Sequence, residues 1–115
     1  MSKRIRIAAV IAAGAALVAA APAMAATTTI KVTTTKAKML AFQGIPSTLK
    51  AGTYKFAYTN QSGMGHNLKV GSVSTPTFTS GTKTITVTLK KGTVAYECTV
   101  PGHAQAGMKG KITVK

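Results

Sequence analysis

The chain has 115 residues and a formal net charge of +14 at pH 7, because lysine and arginine together number 15 while a single residue is acidic. Its one cysteine cannot close an internal disulfide. Nucleic acid is a poor candidate partner, because every cation after residue 6 is lysine, which lacks the planar fork of arginine, and no aromatic patch lies among the lysines.

The N-terminal segment, residues 1–25, is typical of a secretory signal peptide. Basic residues at positions 3, 4 and 6 precede an alanine-rich apolar run from Ile7 to Ala21, and Ala23 and Ala25 supply the small residues of a cleavage site. A membrane anchor is the alternative, but the run is shorter than the roughly 20 residues that span a bilayer. We therefore expect cleavage after Ala25 and a product, residues 26–115, that is periplasmic or otherwise exported and forms one domain.

The charge of this product remains strongly positive. Without the three basic residues of the signal, twelve lysines face the single acid Glu97, and the formal charge falls from +14 to +11. A positive field of this kind favours an acidic protein partner, or a peripheral association with an anionic envelope surface. Solubility is the simpler explanation for any single lysine.

Period-two alternation rich in β-branched and aromatic residues predicts strands along residues 26–115. Residues 71–81, rich in Ser, Thr and Gly, are predicted to form a loop with at most a short edge strand, and no stretch shows a sustained helical stripe. The sequence therefore predicts an all-β sandwich. The predicted strands are Thr28–Thr33, Lys38–Gln43, Gly52–Tyr58, Thr82–Leu89, Gly92–Cys98 and Lys111–Lys115.

Four soft or nitrogen donors are predicted to meet at one end of this sandwich. Cys98 ends its strand on the inward face, and alternation places His66 on the same face as Leu68. His103 and Met108 lie on the turn-rich loop after Cys98, and a loop that closes back to the next strand brings them over the same end.

Each donor taken alone has an ordinary explanation, since a lone buried cysteine is usually a small core residue. Taken together, however, the only cysteine and both histidines of the chain gather around one loop. A thiolate and a thioether with two imidazoles suit copper in both oxidation states, with a trigonal His₂Cys plane and a weak axial methionine.

The spacing Cys98-x₄-His103-x₄-Met108, preceded by Gly65-His66-Asn67, resembles the cupredoxin or blue-copper family over nearly all of residues 26–115. The resemblance implies a Greek-key β-sandwich, one Cu(I)/Cu(II) ion per chain and one-electron transfer. By position, it implies that the metal ligands are His66, Cys98, His103 and the axial Met108.

The same resemblance implies roles for three neighbours of the ligands. The backbone amide of Asn67 is expected to donate to the sulfur of Cys98, with Thr99 holding the Asn67 side chain. The carbonyl of Gly65 resembles one that approaches the copper in azurin.

The exposed edge of the site is expected at His103. We expect its ring to lie nearest solvent within a small apolar patch formed by Pro101, Ala104, Ala106 and Met64. Such a patch suits transient docking of a redox protein, of the cytochrome or oxidoreductase type and acidic by the charge argument, to a monomer of this chain.

A copper carrier or storage protein is the alternative function. It would favour exposed sequences rich in methionine or histidine, whereas only Met39, Met64 and Met108 follow residue 25. An enzyme is not expected, because a multicopper oxidase needs histidines beside the cysteine, where Glu97 and Thr99 stand. A metal-free adhesion-type sandwich is the remaining structural alternative.

Overall fold

Two β-sheets form the fold of residues 27–115, the part of the chain that this computed structural model describes. The strands in this part of the chain are β1 (Thr28–Thr35), β2 (Thr48–Leu49), β3 (Gly52–Gln61), β4 (Lys69–Val70), β5 (Val73–Ser74), β6 (Gly81–Leu89), β7 (Gly92–Glu97) and β8 (Lys109–Val114). No helix capable of crossing a membrane occurs between residues 27 and 115. The predicted signal peptide, residues 1–25, lies outside the described residues.

The chain crosses repeatedly between the two sheets. One sheet has the order β1-β3-β6, with β1 parallel and β6 antiparallel to β3. The other has the order β2-β8-β7-β4-β5, in which β2 is parallel to β8 and the other pairs are antiparallel. The strands β1, β2 and β3 alternate between the two sheets, as do β5, β6 and β7, whereas β4–β5 and β7–β8 are neighbours within one sheet. These crossovers make a sandwich of the Greek-key type, and the predicted all-β class is confirmed.

Alternating side chains fill the space between the sheets, as the period-two pattern predicts. Phe56 and Tyr58 on β3 are fully buried, and the rings of Phe42 and Phe78 contact Tyr58 edge-on at centroid distances of 5.3 and 5.4 Å. Each such side chain contributes about 1.5–3 kcal/mol on burial. The aliphatic core residues are Ile30, Val32, Leu68, Val70, Ile85, Val87, Leu89, Ile112 and Val114.

The predicted strand at Lys38–Gln43 is wrong. Residues 36–40 form a bend and a turn, and only Gln43 pairs with a strand, through an isolated bridge to Thr33. The amide of Lys38 donates to both the carbonyl and the hydroxyl of Thr35, at 3.2 Å each. This local side-chain bond competes with strand pairing and turns the chain as β1 ends.

The strands bring several chain ends together at one end of the sandwich, which we call the donor end. Here β7 finishes and β4 and β8 begin, because Glu97 pairs with both Lys69 and Lys109. Asn60, near the end of β3, joins this end through its side-chain amide, which donates at 2.7 Å to the carbonyl of Phe78, the residue bridged to His66. The donor end is therefore where residues 66, 98, 103 and 108 are presented.

Candidate metal centre

Three side chains converge at the donor end. The Sγ of Cys98 lies 3.5 Å from Nδ1 of His103 and 3.8 Å from Nδ1 of His66, and the two Nδ1 atoms are 3.1 Å apart. Cys98 and His66 are fully buried, whereas His103 is partly exposed. The structure thus brings one sulfur and two imidazole nitrogens around a common point.

Met108 is carried to the same end by the loop that follows Cys98. The Cys98 amide donates to the Met108 carbonyl at 3.0 Å, and the Met108 amide donates to the His103 carbonyl at 3.1 Å. The Met108 side chain is fully buried. The loop therefore closes as the sequence predicts, while the role of Met108 as an axial ligand stays a prediction.

The short loop holds His103 through its own backbone. The His103 amide donates to the carbonyl of Val100 at 3.0 Å, and the amide of Ala106 donates to the carbonyls of Gly102 and His103. Gly102 has a φ of 86°, a left-handed conformation that side-chain-bearing residues rarely adopt. This tight winding fixes the histidine at the rim of the cluster.

His66 is positioned from the opposite side by residues that the sequence reasoning missed. His66 and Phe78 exchange backbone hydrogen bonds at 3.0 and 3.1 Å. The Asn60 side chain donates to the carbonyls of both Phe78 and Met64, and its Oδ1 accepts from the amide and hydroxyl of Ser62. Asn60 lies on the same inward face of β3 as the buried Phe56. A polar residue at an inward strand position was therefore the sequence feature that could have identified it.

Asn67 ties the two buried donors together. Its Oδ1 accepts from the amide of Thr99 at 2.7 Å, and its Nδ2 donates to the hydroxyls of Thr99 and Ser74 at 2.8 and 3.0 Å. The residue after His66 is thus fastened to the residue after Cys98, as expected for a group that orients ligands. The predicted donation from the Asn67 amide to Cys98 stays a prediction.

Gly65 lies half-buried immediately before His66, and a Cβ there would lie 3.4 Å from the side chain of Thr77. The side chain of an alanine would therefore make an ordinary van der Waals contact at this position. The approach of its carbonyl to a metal ion stays a prediction.

Burial and charge favour a neutral His66. Desolvation lowers the pKa of its imidazole, and positive charge on His103 lowers the pKa further, while the backbone carbonyl of Met39 raises it as an acceptor. Because a metal binds the unprotonated nitrogen, an imidazole held neutral is suited to ligation. The two Nδ1 atoms also lie too close for both to carry protons.

The donor set fits copper. The cluster has no carboxylate, so it lacks the oxygen ligands that calcium and magnesium require. Zinc accepts cysteine and histidine but is not normally bound by a thioether. Thiolate, thioether and imidazole together match the ligands that copper uses in both oxidation states.

Comparisons with known proteins agree with this chemistry. A family model described as copper binding proteins of the plastocyanin/azurin family matches residues 28–115. No curated protein sequence matches the chain significantly.

Solved structures share the fold at low sequence identity. Reduced auracyanin from the photosynthetic bacterium Roseiflexus castenholzii is 22% identical, with a TM-score of 0.63, over 79% of this chain and 99% of that one. Auracyanin A, a "blue" copper protein from Chloroflexus aurantiacus, is 22% identical with a TM-score of 0.61, over 78% and 100% of the two chains. Rusticyanin from Thiobacillus ferrooxidans is 23% identical with a TM-score of 0.59, over 80% and 79%.

Proposed function

The chain belongs to the plastocyanin/azurin family of copper-binding proteins, and on that premise we propose that it is an exported blue-copper protein that carries single electrons between redox partners. The observation that carries the proposal is the convergence of Cys98 Sγ with Nδ1 of His66 and His103. The signal-like pattern of residues 1–25 supports export.

We assign one copper ion to His66, Cys98, His103 and Met108. Copper held by these donors supplies a one-electron redox couple. The protein holds the ligands in fixed positions and shields them from water. Cys98 and His66 are fully buried and fastened to each other through Asn67, so neither donor is free to rearrange when the charge of the site changes.

His103 is the assigned route for the electron, because it is the partly exposed member of the cluster. The exposed large apolar side chains of the described residues are Leu40 and Met64, at 38% and 37% exposure. Met64 precedes His66 by two residues, and the Leu40 carbonyl lies beside Gly107 of the ligand loop. Their position supports an apolar docking face around His103, extended by Leu40 beyond the sequence prediction.

A carrier or storage role fits the burial less well. A protein that hands copper to a partner presents ligands that the partner can displace, whereas three of the four donors here are fully buried. We likewise assign no catalytic position, since all four donors serve the metal.

Addition of copper(II) to the purified protein tests the proposal. We expect one copper per chain and an intense blue thiolate charge-transfer absorption. Cys98→Ser should abolish the blue absorption, since no other thiolate exists in the chain. Met108→Leu is the matched control, and it should stay blue with a changed reduction potential, because it removes a weak donor and keeps the thiolate.

Three outcomes would contradict the assignment. A blue Cys98→Ser variant would show that the thiolate lies elsewhere, and complete loss of copper in Met108→Leu would argue against an axial role. A colourless copper complex that a chelator strips within seconds would support the carrier function instead.

A further inference from the structure

Strand β6 lies at an edge of its sheet. Its nine residues, Gly81–Leu89, pair with β3 on one side, and the sheet order β1-β3-β6 places no described strand on the other. Since the backbone groups of a strand point alternately to its two sides, about half of the N–H and C=O groups of β6 face away from β3. No loop between residues 27 and 115 bonds to them through its own backbone. β6 therefore presents a long row of backbone groups with which another strand can pair.

The other sheet edges of the described residues are covered or short. β1, at the opposite edge of the same sheet, is bridged by Gln43, whose amide and carbonyl bond to Thr33 at 2.8 and 2.9 Å. β2 and β5, at the two edges of the second sheet, have two residues each. Covering and shortening are common ways in which proteins protect a sheet edge from pairing with other chains. β6 has neither protection.

A groove of about 630 Å³ lies beside the second half of β6. It is bounded by residues 86–89 and by the facing sheet, which contributes Val70, Val73 and Val94. Because the side chains of a strand alternate between its two faces, a strand added to β6 would direct every second side chain toward this groove. The valines make these positions suitable for apolar side chains, which give specificity where a peptide extends a sheet.

The charged residues that line this groove are lysines. Lys90 and Lys91 lie at its rim, and Lys83 is exposed on β6. The single acid of the chain, Glu97, lies in the other sheet, on β7. An antiparallel pair of two β6 strands centred on Thr86 would bring Lys83 of one copy near Lys90 of the other, and these like charges would repel. The edge therefore favours a segment with carboxylates over a second copy of this chain.

We propose that β6 is a docking edge, at which an extended segment of a partner protein, alternately apolar and acidic, adds as a fourth strand to the sheet. Its apolar side chains occupy the groove, its carboxylates lie within reach of Lys83, Lys90 and Lys91, and its backbone bonds to the free groups of β6. None of the four metal-binding donors belongs to this edge, so the inference is independent of copper and goes beyond the proposed function.

Hydrogen exchange followed by NMR tests the inference with a synthetic nine-residue peptide in which glutamate alternates with valine. In the protein alone, the β6 amides that face away from β3 should exchange rapidly, because no partner protects them. Saturation with the peptide should slow the exchange of every second β6 amide by about tenfold or more and leave the amides paired with β3 unchanged. This alternate pattern is specific to pairing along the edge, since attraction by charge alone selects no set of amides.

Two peptides and two double variants are the controls. A peptide with its valines and glutamates in two blocks, and one with lysine in place of glutamate, should give no alternate protection. Lys90→Ala combined with Lys91→Ala should weaken binding of the alternating peptide about fivefold, since two exposed ion pairs are lost. Lys36→Ala combined with Lys38→Ala makes the same change of charge in the turn after β1, and its affinity should stay within about twofold of the parent.

The inference is wrong if the alternating peptide fails to bind at millimolar concentration, or if it binds without the alternate protection of β6. Equal weakening by the two double variants would show a diffuse attraction and would also overturn it. Sedimentation of the protein without peptide should give a monomer. A dimer in which the same alternate amides are protected would mean that a second copy of the chain occupies the edge, in place of an acidic segment.

Discussion

Tyr58 shows how one residue can make the fold depend on pH. Burial raises the pKa of its phenol from 10.0 to about 12. The hydrogen bond with Thr34 acts in the opposite direction and lowers the pKa, while Cys98 adds to the increase. The folded protein therefore keeps the tyrosine proton at a pH where the unfolded chain has lost it. By linkage, unfolding is favoured as pH rises through this window.

We expect the titration of Tyr58 to lower the free energy of unfolding between pH 10 and pH 12. The loss should reach about 2 kcal/mol at the upper end of this pH range, because each pKa unit corresponds to about 1.4 kcal/mol. Guanidinium chloride unfolding at pH 9, 10, 11 and 12 would measure the loss. Tyr58→Phe is the control that isolates the contribution of the phenol. Its stability should fall less steeply with pH, and parallel curves for the two proteins would contradict the prediction.

Alternation located the donors but not the residues that hold them. Cys98 and His66 were found because an inward face is visible in sequence and their chemistry is rare in this chain. Asn60 and Ser62 were missed, because a buried polar residue is recognised only through its partners, which lie as far away as Phe78. The roles of Asn67 and Thr99 came from family resemblance rather than from spacing.

At the scale of elements, the long strands were predictable and the short ones were not. β1, β3, β6 and β8 each bury one face, and Val94 and Tyr96 of β7 are partly buried against the core, so period two identifies these strands. β2 has two residues and is defined by its pairing with β8, which no local pattern reveals. The segment after β1 reads as a strand, but the Thr35 hydroxyl turns it toward the metal cluster.

The ligand loop carries the prediction that belongs to this scale. Ala104 is half-buried and follows His103 directly, so Ala104→Glu places a charge on the proposed docking face. Electron transfer to a small acidic c-type cytochrome should slow by roughly fivefold, because an unpaired charge in the contact costs on the order of 1 kcal/mol or more. The blue absorption should not change.

Thr86→Glu is the matched control for this loop variant. It changes the net charge equally, on the exposed face of β6, outside the ligand loop. Stopped-flow kinetics at 0.1 M salt should give nearly the parent rate. Equal slowing by the two variants would mean that long-range charge, and not contact at the loop, limits the transfer.

At the scale of the whole molecule, lysines lie at both ends of the sandwich. At the donor end, Lys69 and Lys109 flank Glu97 across three paired strands, and with Lys111 they line a cavity of about 420 Å³. Cys98 follows Glu97 directly, so this cationic surface adjoins the metal cluster. The opposite end has its own lysines, at positions 50, 90, 91 and 115.

Distance decides which lysines guide an acidic partner. A ten-residue strand such as β3 is about 33 Å long, roughly three Debye lengths at 0.1 M salt, where that length is about 10 Å. Charges at the far end are therefore largely screened from a partner that docks at His103. Each single lysine-to-alanine change should lower the association rate with an acidic partner by less than about twofold, since lysines act as separate point charges.

Removal of Lys69, Lys109 and Lys111 together should lower the association rate with an acidic cytochrome about tenfold at 0.1 M salt, because steering raises such rates by ~10 to 10³. The matched triple change at Lys50, Lys90 and Lys115 should lower the rate by less than about twofold, and both proteins should keep the blue spectrum. Stopped-flow kinetics across a salt series would compare the two triple variants, and the difference between their association rates should narrow as the salt concentration increases. Equal effects of the two triples would show a diffuse attraction, and a parent rate that does not fall with salt would mean that the lysines do not guide recognition.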